Sequence, residues 1–115
     1  MSYHNIAEQA IDFILTRKIE ELADLTRAKI ARALSVNAND LAHKFKNHQH
    51  ITLRKFILRE KLHRAAFLLE KKQELTINDL AAKLGFLKLE HFDKEFMRYF
   101  AAEPIQYRNM KTRTI

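Results

Sequence analysis

The sequence predicts an all-α fold, and three observations predict it. The 115-residue chain holds one glycine and one proline, where a β-sandwich would need turn residues at every corner. Hydrophobic residues make up 47% of it, enough for a core and too many for intrinsic disorder. Apolar positions recur every three or four residues along most of the chain, which is the period of an amphipathic helix. Grouped by their turns, these helices make two helix-turn-helix subdomains joined by a long linker helix, about seven helices in all. The expected division is residues 1–50 for the first subdomain, 51–73 for the linker helix, 74–108 for the second subdomain and 109–115 for a C-terminal tail.

The first helix runs from Ile6 to about Arg17. Ile6, Ala10, Phe13 and Ile14 share one side, with Glu8, Asp12, Arg17 and Lys18 elsewhere. Asn5 suits the N-cap, with Glu8 as its capping-box partner. This helix is expected to prop the subdomain. Ile19–Leu25 admits two readings, an extension of that helix or a connection. Thr26 then reads as an N-cap, and Ala28, Ile30, Ala31 and Leu34 continue as a helix. Leu34-Ser35-Val36 is a turn, and Asn37 caps a helix from about Ala38 to Asn47 with Leu41 and Phe45 pointing inward.

The linker helix covers about Thr52 to Lys72. Phe56, Ile57, Leu62, Ala65, Ala66, Leu68 and Leu69 line its buried side. Of its basic residues, Arg59, Lys61, Arg64, Lys71 and Lys72 read as a solvated face, and Arg54 and Lys55 as candidate phosphate contacts. After it, Thr76 caps a helix with Asp79 in the capping-box position. Leu80, Ala81 and Leu84 are apolar there. Gly85, the one glycine, falls between two helical patterns, where positive φ is needed. Phe86, Phe92, Phe96 and Phe100 make a core stripe, on the face opposite the charged positions. Phe13, Phe45, Phe56 and Phe67 are likewise expected in the core. Pro104 stops the last long helix, Ile105–Arg108 is a short closing turn, and Asn109–Ile115 is expected to fray.

An internal repeat ties the two ends together. Ile30-Ala31, Leu34, Ser35 and Val36 match Leu80-Ala81, Leu84, Gly85 and Phe86 at an offset of 50. Beyond the turn the offset becomes 51, and Leu41 and Phe45 match Phe92 and Phe96. The second copy therefore has one extra residue between its turn and its second helix.

Charge narrows the partners. The formal net charge is +7, spread unevenly: residues 1–50 hold 7 basic and 6 acidic side chains, residues 51–115 hold 14 and 8. Such an excess favours a polyanion, through phosphate contacts and counterion release. There is no cysteine, which fits a reducing compartment. No apolar run approaches a signal peptide or the roughly 18 residues of a membrane span. The expectation is a cytoplasmic chain with no membrane partner. No Gly-rich phosphate loop, nucleophile elbow or Ser/His/Asp arrangement is visible, so no enzyme is expected and no cofactor. His48-Gln49-His50, with His43 nearby, lacks the four ligands that structural zinc takes, so no metal site is expected.

Residues Ile6 to Arg108, taken together, resemble the DNA-binding domain of the AraC/XylS family of bacterial transcription regulators. The most specific part is Ala81, Gly85-Phe86, Phe92, Phe96, Phe100, Pro104 and Tyr107-Arg108. The linker pattern Phe56-Ile57, Lys61-Leu62, Ala65 and Leu68-Leu69 resembles the family's as well. Three positions depart from it. Ser35 stands where the first turn usually has glycine, Ala101 where glycine usually precedes the closing proline, and Lys88 where serine usually opens the second reading helix. The last change removes an N-cap and supplies a cation.

The resemblance implies a sequence-specific DNA-binding protein, by default an activator that contacts RNA polymerase, reading two successive major grooves of double-stranded DNA. It implies a first reading helix exposing Asn39, Ala42, His43 and Lys46, with Asn37 near the phosphates. It implies a second reading helix exposing Lys88, Leu89, Glu90, Asp93 and Lys94, with Arg98 as a further phosphate contact. Asn suits adenine, His and Lys suit guanine, an alanine methyl suits a thymine methyl, and carboxylates accept only from cytosine N4. The carboxylates Glu90, Asp93 and Glu95 on one short reading helix motivate an alternative, a helical protein-interaction module on a degenerate DNA-binding scaffold. A salt titration separates the two, since DNA affinity falls steeply with salt. An excised fragment and a stand-alone short member are both open, and the fragment is expected to be monomeric.

Overall fold

A computed structural model describes residues 5–112. It contains eight α-helices and no strand among the described residues: α1 (Ile6–Leu15), α2 (Ile19–Ala23), α3 (Arg27–Leu34), α4 (Ala38–Gln49), α5 (Leu53–Lys71), α6 (Ile77–Lys83), α7 (Leu89–Phe100) and α8 (Pro104–Thr112). The chain divides into two compact units, residues 1–60 and 61–115, with the boundary inside α5.

In the first unit, α1 packs on α3 and α4, which also pack on each other. Ala10, Ile14, Leu22, Ile30, Leu41 and Phe45 are fully buried, and Leu53 and Ile57 from the start of α5 join them. Each large side chain so buried contributes roughly 1.5–3 kcal/mol. The Phe45 ring meets Phe56 edge-on at 5.3 Å. The N-caps form as the residue types dictate. Asn5 Oδ1 accepts from the Glu8 amide at 2.8 Å, and Thr26 Oγ1 from the Lys29 amide at 3.2 Å. Glu8 returns the contact through the Asn5 side-chain amide. Ile19–Leu25 resolves into the short helix α2, whose Leu22 seals the core. Its Glu21 carboxylate accepts from the Lys18 amide at 3.2 Å.

In the second unit, Leu62, Ala65, Leu69, Leu80, Ala81, Leu84, Phe92 and Phe96 are buried. Phe86, Phe92, Phe96 and Phe100 form a ladder of rings with centroids 5.2, 5.7 and 4.6 Å apart in turn, and Tyr107 closes it edge-on against Phe96 at 5.4 Å. Phe67 is the exception to the expected core: it is 59% exposed. It lies on α5 between Ala66 and Leu68, and the buried stripe of that helix is already filled by Ala65, Ala66 and Leu69.

The C-terminal end also departs from expectation. Pro104 does more than stop α7: it sits at the first position of α8, where its missing N–H is harmless. The expected closing turn and part of the expected frayed tail are one helix to Thr112, and residues 113–115 lie outside the described part. Arg108 holds this helix down. Its guanidinium donates to the carbonyls of Leu69 at 2.9 Å, Leu75 at 2.7 Å and Lys72 at 3.2 Å. These lie at and just beyond the end of α5, where helix carbonyls lack intrahelical partners.

Candidate nucleic-acid interface

Each unit contains a helix, a turn and a second helix, and the two turns are the same construction. In the first, the Val36 amide donates to Ala31 O at 2.9 Å and the Ser35 amide to Arg32 O at 3.2 Å. In the second, the Phe86 amide donates to Ala81 O and the Gly85 amide to Ala82 O, both at 3.0 Å. This paired closure ends a helix through one left-handed residue. Ser35 (φ 57°) and Gly85 (φ 88°) are those residues. The repeat legible in the sequence at an offset of 50 is thus a repeat of hydrogen bonds.

The second helices match at an offset of 51. Both α4 and α7 are 12 residues long. Both end in a left-handed residue, His50 (φ 64°) and Ala101 (φ 58°). Their amides donate at 2.8 Å to the carbonyls of Lys46 and Met97. Ala101 keeps the left-handed geometry without being glycine, as Ser35 does, at about 1–2 kcal/mol each.

The buried faces of α4 and α7 carry Leu41 with Phe45, and Phe92 with Phe96. The other face of α4 carries Asn39, His43 and Lys46, all exposed, and half-buried Ala42. Spacings of three and four put these on one side of a helix. The same positions of α7 are Glu90, Asp93, Lys94 and Met97, with Asp93 half-buried and the other three exposed. One set offers an amide, a methyl, an imidazole and an ammonium; the other offers two carboxylates, an ammonium and a thioether.

The caps differ too. Asn37 Oδ1 accepts from the Asn39 amide at 2.9 Å and the Asp40 amide at 3.1 Å. Lys88, at the matching position, makes no side-chain cap. It is exposed, as are Leu89, Arg54 and Lys55. The Lys55 amide is itself held by Thr52 Oγ1 at 3.1 Å, which starts α5. Arg98 is 3.5 Å from Glu95. Burial first, and then the negative charges of Glu103 and Glu90, push the Asp93 carboxyl above its ordinary pKa.

Two exposed side chains of this region were not among the sequence candidates. Met97 follows from the offset of 51, since it matches Lys46. Leu87 is 99% exposed, and its signal is the extra residue of the second copy. The histidine tract has local partners: His48 Nε2 lies 3.7 Å from Glu8, and its Nδ1 is 2.8 Å from Gln49 Nε2. Among the described residues no group of three or more His, Cys, Asp or Glu is arranged to hold a metal, and no helix is long and apolar enough to cross a membrane.

A family model described as a helix-turn-helix domain matches residues 30–110. A curated protein of Haemophilus influenzae, described as an uncharacterized HTH-type transcriptional regulator, is 30% identical over 90 residues, which is 78% of this chain and 27% of that protein. The chain thus spans about a quarter of that relative's length. Among solved structures, the C-terminal domain of AraT, a response regulator from Geobacillus stearothermophilus, matches with a TM-score of 0.80 and 26% identity, covering 100% of this chain and 91% of that one. A transcriptional regulator from Chromobacterium violaceum, of the AraC-type DNA-binding class, matches with a TM-score of 0.82 over 96% of this chain and 95% of that one. At 22% identity that second likeness is one of fold.

Proposed function

Because the chain belongs to the AraC-type helix-turn-helix family, we propose that it is the sequence-specific, double-stranded DNA-binding part of a bacterial transcription regulator. Each unit lays its reading helix, α4 or α7, in a major groove. The two grooves are successive, about 34 Å apart along one face of the duplex. Residues 51–73, built on α5, serve as the stiff connection between subdomains 1–50 and 74–108. The observation that carries this reading is the duplicated turn, which repeats its hydrogen bonds and its left-handed residue in both units.

In this reading, Asn39 pairs with adenine, His43 and Lys46 donate to guanine acceptors, and Ala42 touches a thymine methyl. Lys94 donates likewise from α7, and Glu90 and Asp93 accept from cytosine N4. Asn37, Lys88, Arg54, Lys55 and Arg98 meet phosphates, positioning the chain without reading bases. The regulator works in the cytoplasm as an activator that touches RNA polymerase, and this 115-residue form binds as a monomer.

Selection from random double-stranded DNA tests the assignment. Asn39→Ala and Glu90→Ala should each relax the preference at one base pair, by about 1–3 kcal/mol of discrimination. If both variants select the parental motif unchanged, the contact assignment is wrong. If the parent chain shows no binding that weakens with added salt, the DNA-binding reading is wrong.

A further inference from the structure

The second turn is one residue longer than the first, and the structure identifies which residue is extra. After Ser35 come Val36 and the cap Asn37; after Gly85 come Phe86, Leu87 and the cap Lys88. Phe86 takes the role of Val36, with the same amide bond back across the turn. Its ring lies on Phe92 at 5.2 Å and on His91 at 5.4 Å. Leu87 is therefore the insertion. At 99% exposure its side chain gains nothing from the fold, although burial is what an isobutyl group favours most. Leu89, 37% exposed, flanks Lys88 on its other side. Glu90 and Asp93 follow on the face that matches Asn39 and Ala42.

Resting on the DNA-binding reading of this unit, we infer that the tip of α7 selects a pyrimidine-rich strand. Leu87 and Leu89 take thymine C5-methyl groups, and Glu90 and Asp93 accept from cytosine N4 amino groups. Thymine is the one base that shows a methyl in the major groove, and cytosine the one that shows a donor without an adjacent acceptor. An ionised carboxylate only accepts, so the N7 of either purine repels it. Both side-chain types thus select against purines, and both lie between Leu87 and Asp93, on the turn before α7 and the start of that helix. Lys88, between the two leucines in the chain and exposed, adds a cation that suits a polyanion. A phosphate beside the groove leaves Lys88 paired and solvated.

The test uses the full chain and the site it selects from random double-stranded DNA. Deoxyuridine replaces each thymine of the half-site read by α7, one at a time, and Kd is measured by fluorescence anisotropy. The selected half-site should be a pyrimidine tract on one strand. Loss of a contacted methyl should weaken binding roughly fourfold. Leu87→Ala, which removes a side chain outside the core, should keep its helical circular dichroism and bind one thymine and its uracil version equally. Leu89→Ala should do the same at a second thymine. A purine tract, or equal affinity for thymine and uracil sites in a parent chain that still selects a sequence, overturns this inference and leaves DNA binding standing. Discrimination that survives both leucine variants also overturns it. A parent chain that selects no sequence removes the DNA-binding reading and this one with it.

Discussion

Arg108 is 9% exposed and donates to three backbone carbonyls at and just beyond the end of α5. Replacing it by alanine removes these donors and opens a cavity. The Leu69 carbonyl keeps Gln73 Nε2 and the Lys72 carbonyl keeps the Leu75 amide, both at 3.1 Å, while the Leu75 carbonyl loses its 2.7 Å bond. Each hydrogen bond to a charged donor contributes about 1.5–3 kcal/mol. The 3.2 Å bond to Lys72 is the weakest of the three, and desolvating the guanidinium offsets part of the sum. The net loss for Arg108→Ala should be about 3 kcal/mol, a large share of the roughly 5–15 kcal/mol that holds a small domain together. That corresponds to a fall in Tm of roughly 12–24 °C. Arg108→Lys should lose about half as much, because an ammonium has no planar fork to reach carbonyls on several sides. Two of the three tyrosines, Tyr99 and Tyr107, lie in the second unit. Tyrosine fluorescence during a urea titration, set against circular dichroism at 222 nm, therefore weights unfolding of that unit. A loss below about 1 kcal/mol in Arg108→Ala, or equal losses for alanine and lysine, would refute the account of Arg108 as a forked helix cap.

Ala101 sits in the left-handed region at φ 58°, so Ala101→Gly should stabilise the second unit by about 1 kcal/mol and raise Tm by several degrees; a lower Tm in a thermal melt would contradict the strain argument. Asp93 gives a pH signature. Its carboxyl pKa is raised in the folded chain by burial and by Glu103 and Glu90, so the ionised form opposes folding. Asp93→Asn should match the parent in stability at pH below the unfolded-chain value of 3.8, and exceed it increasingly as pH rises through the folded value. Urea unfolding from pH 3 to 7 checks this, and a gap that closes on raising the pH would reverse the sign of the argument.

The fold was legible because its signals are local. A single glycine between two helical patterns marked one turn, and four phenylalanines at fixed spacing marked the core of the unit beyond it. Caps at Asn5, Thr26, Asn37 and Thr76 followed from residue type alone. What escaped was tertiary. Phe67 looks like core by hydrophobicity, yet only the packing of α5 decides which flank of that helix is covered. Ile105–Thr112 is helical because Arg108 reaches back more than thirty residues to Leu69, Lys72 and Leu75, a pairing no local pattern encodes. The exposed face of α4 was legible as a polar stripe. Met97 and Leu87 escape the sequence, since nothing in their residue type or spacing marks an apolar side chain as exposed.

The cap at Asn37 limits what that side chain can say to a partner. Its oxygen is held by two amides of its own helix, so the amide plane is locked and only Nδ2 is left to meet anything outside. Nδ2 gives protons and never takes them. A serine there would keep the helix start but have no amide hydrogens to give, and an aspartate would keep the start and invert the sign of what it shows. Structure and recognition are thus soldered together at one residue, and drift at position 37 cannot tune one without touching the other.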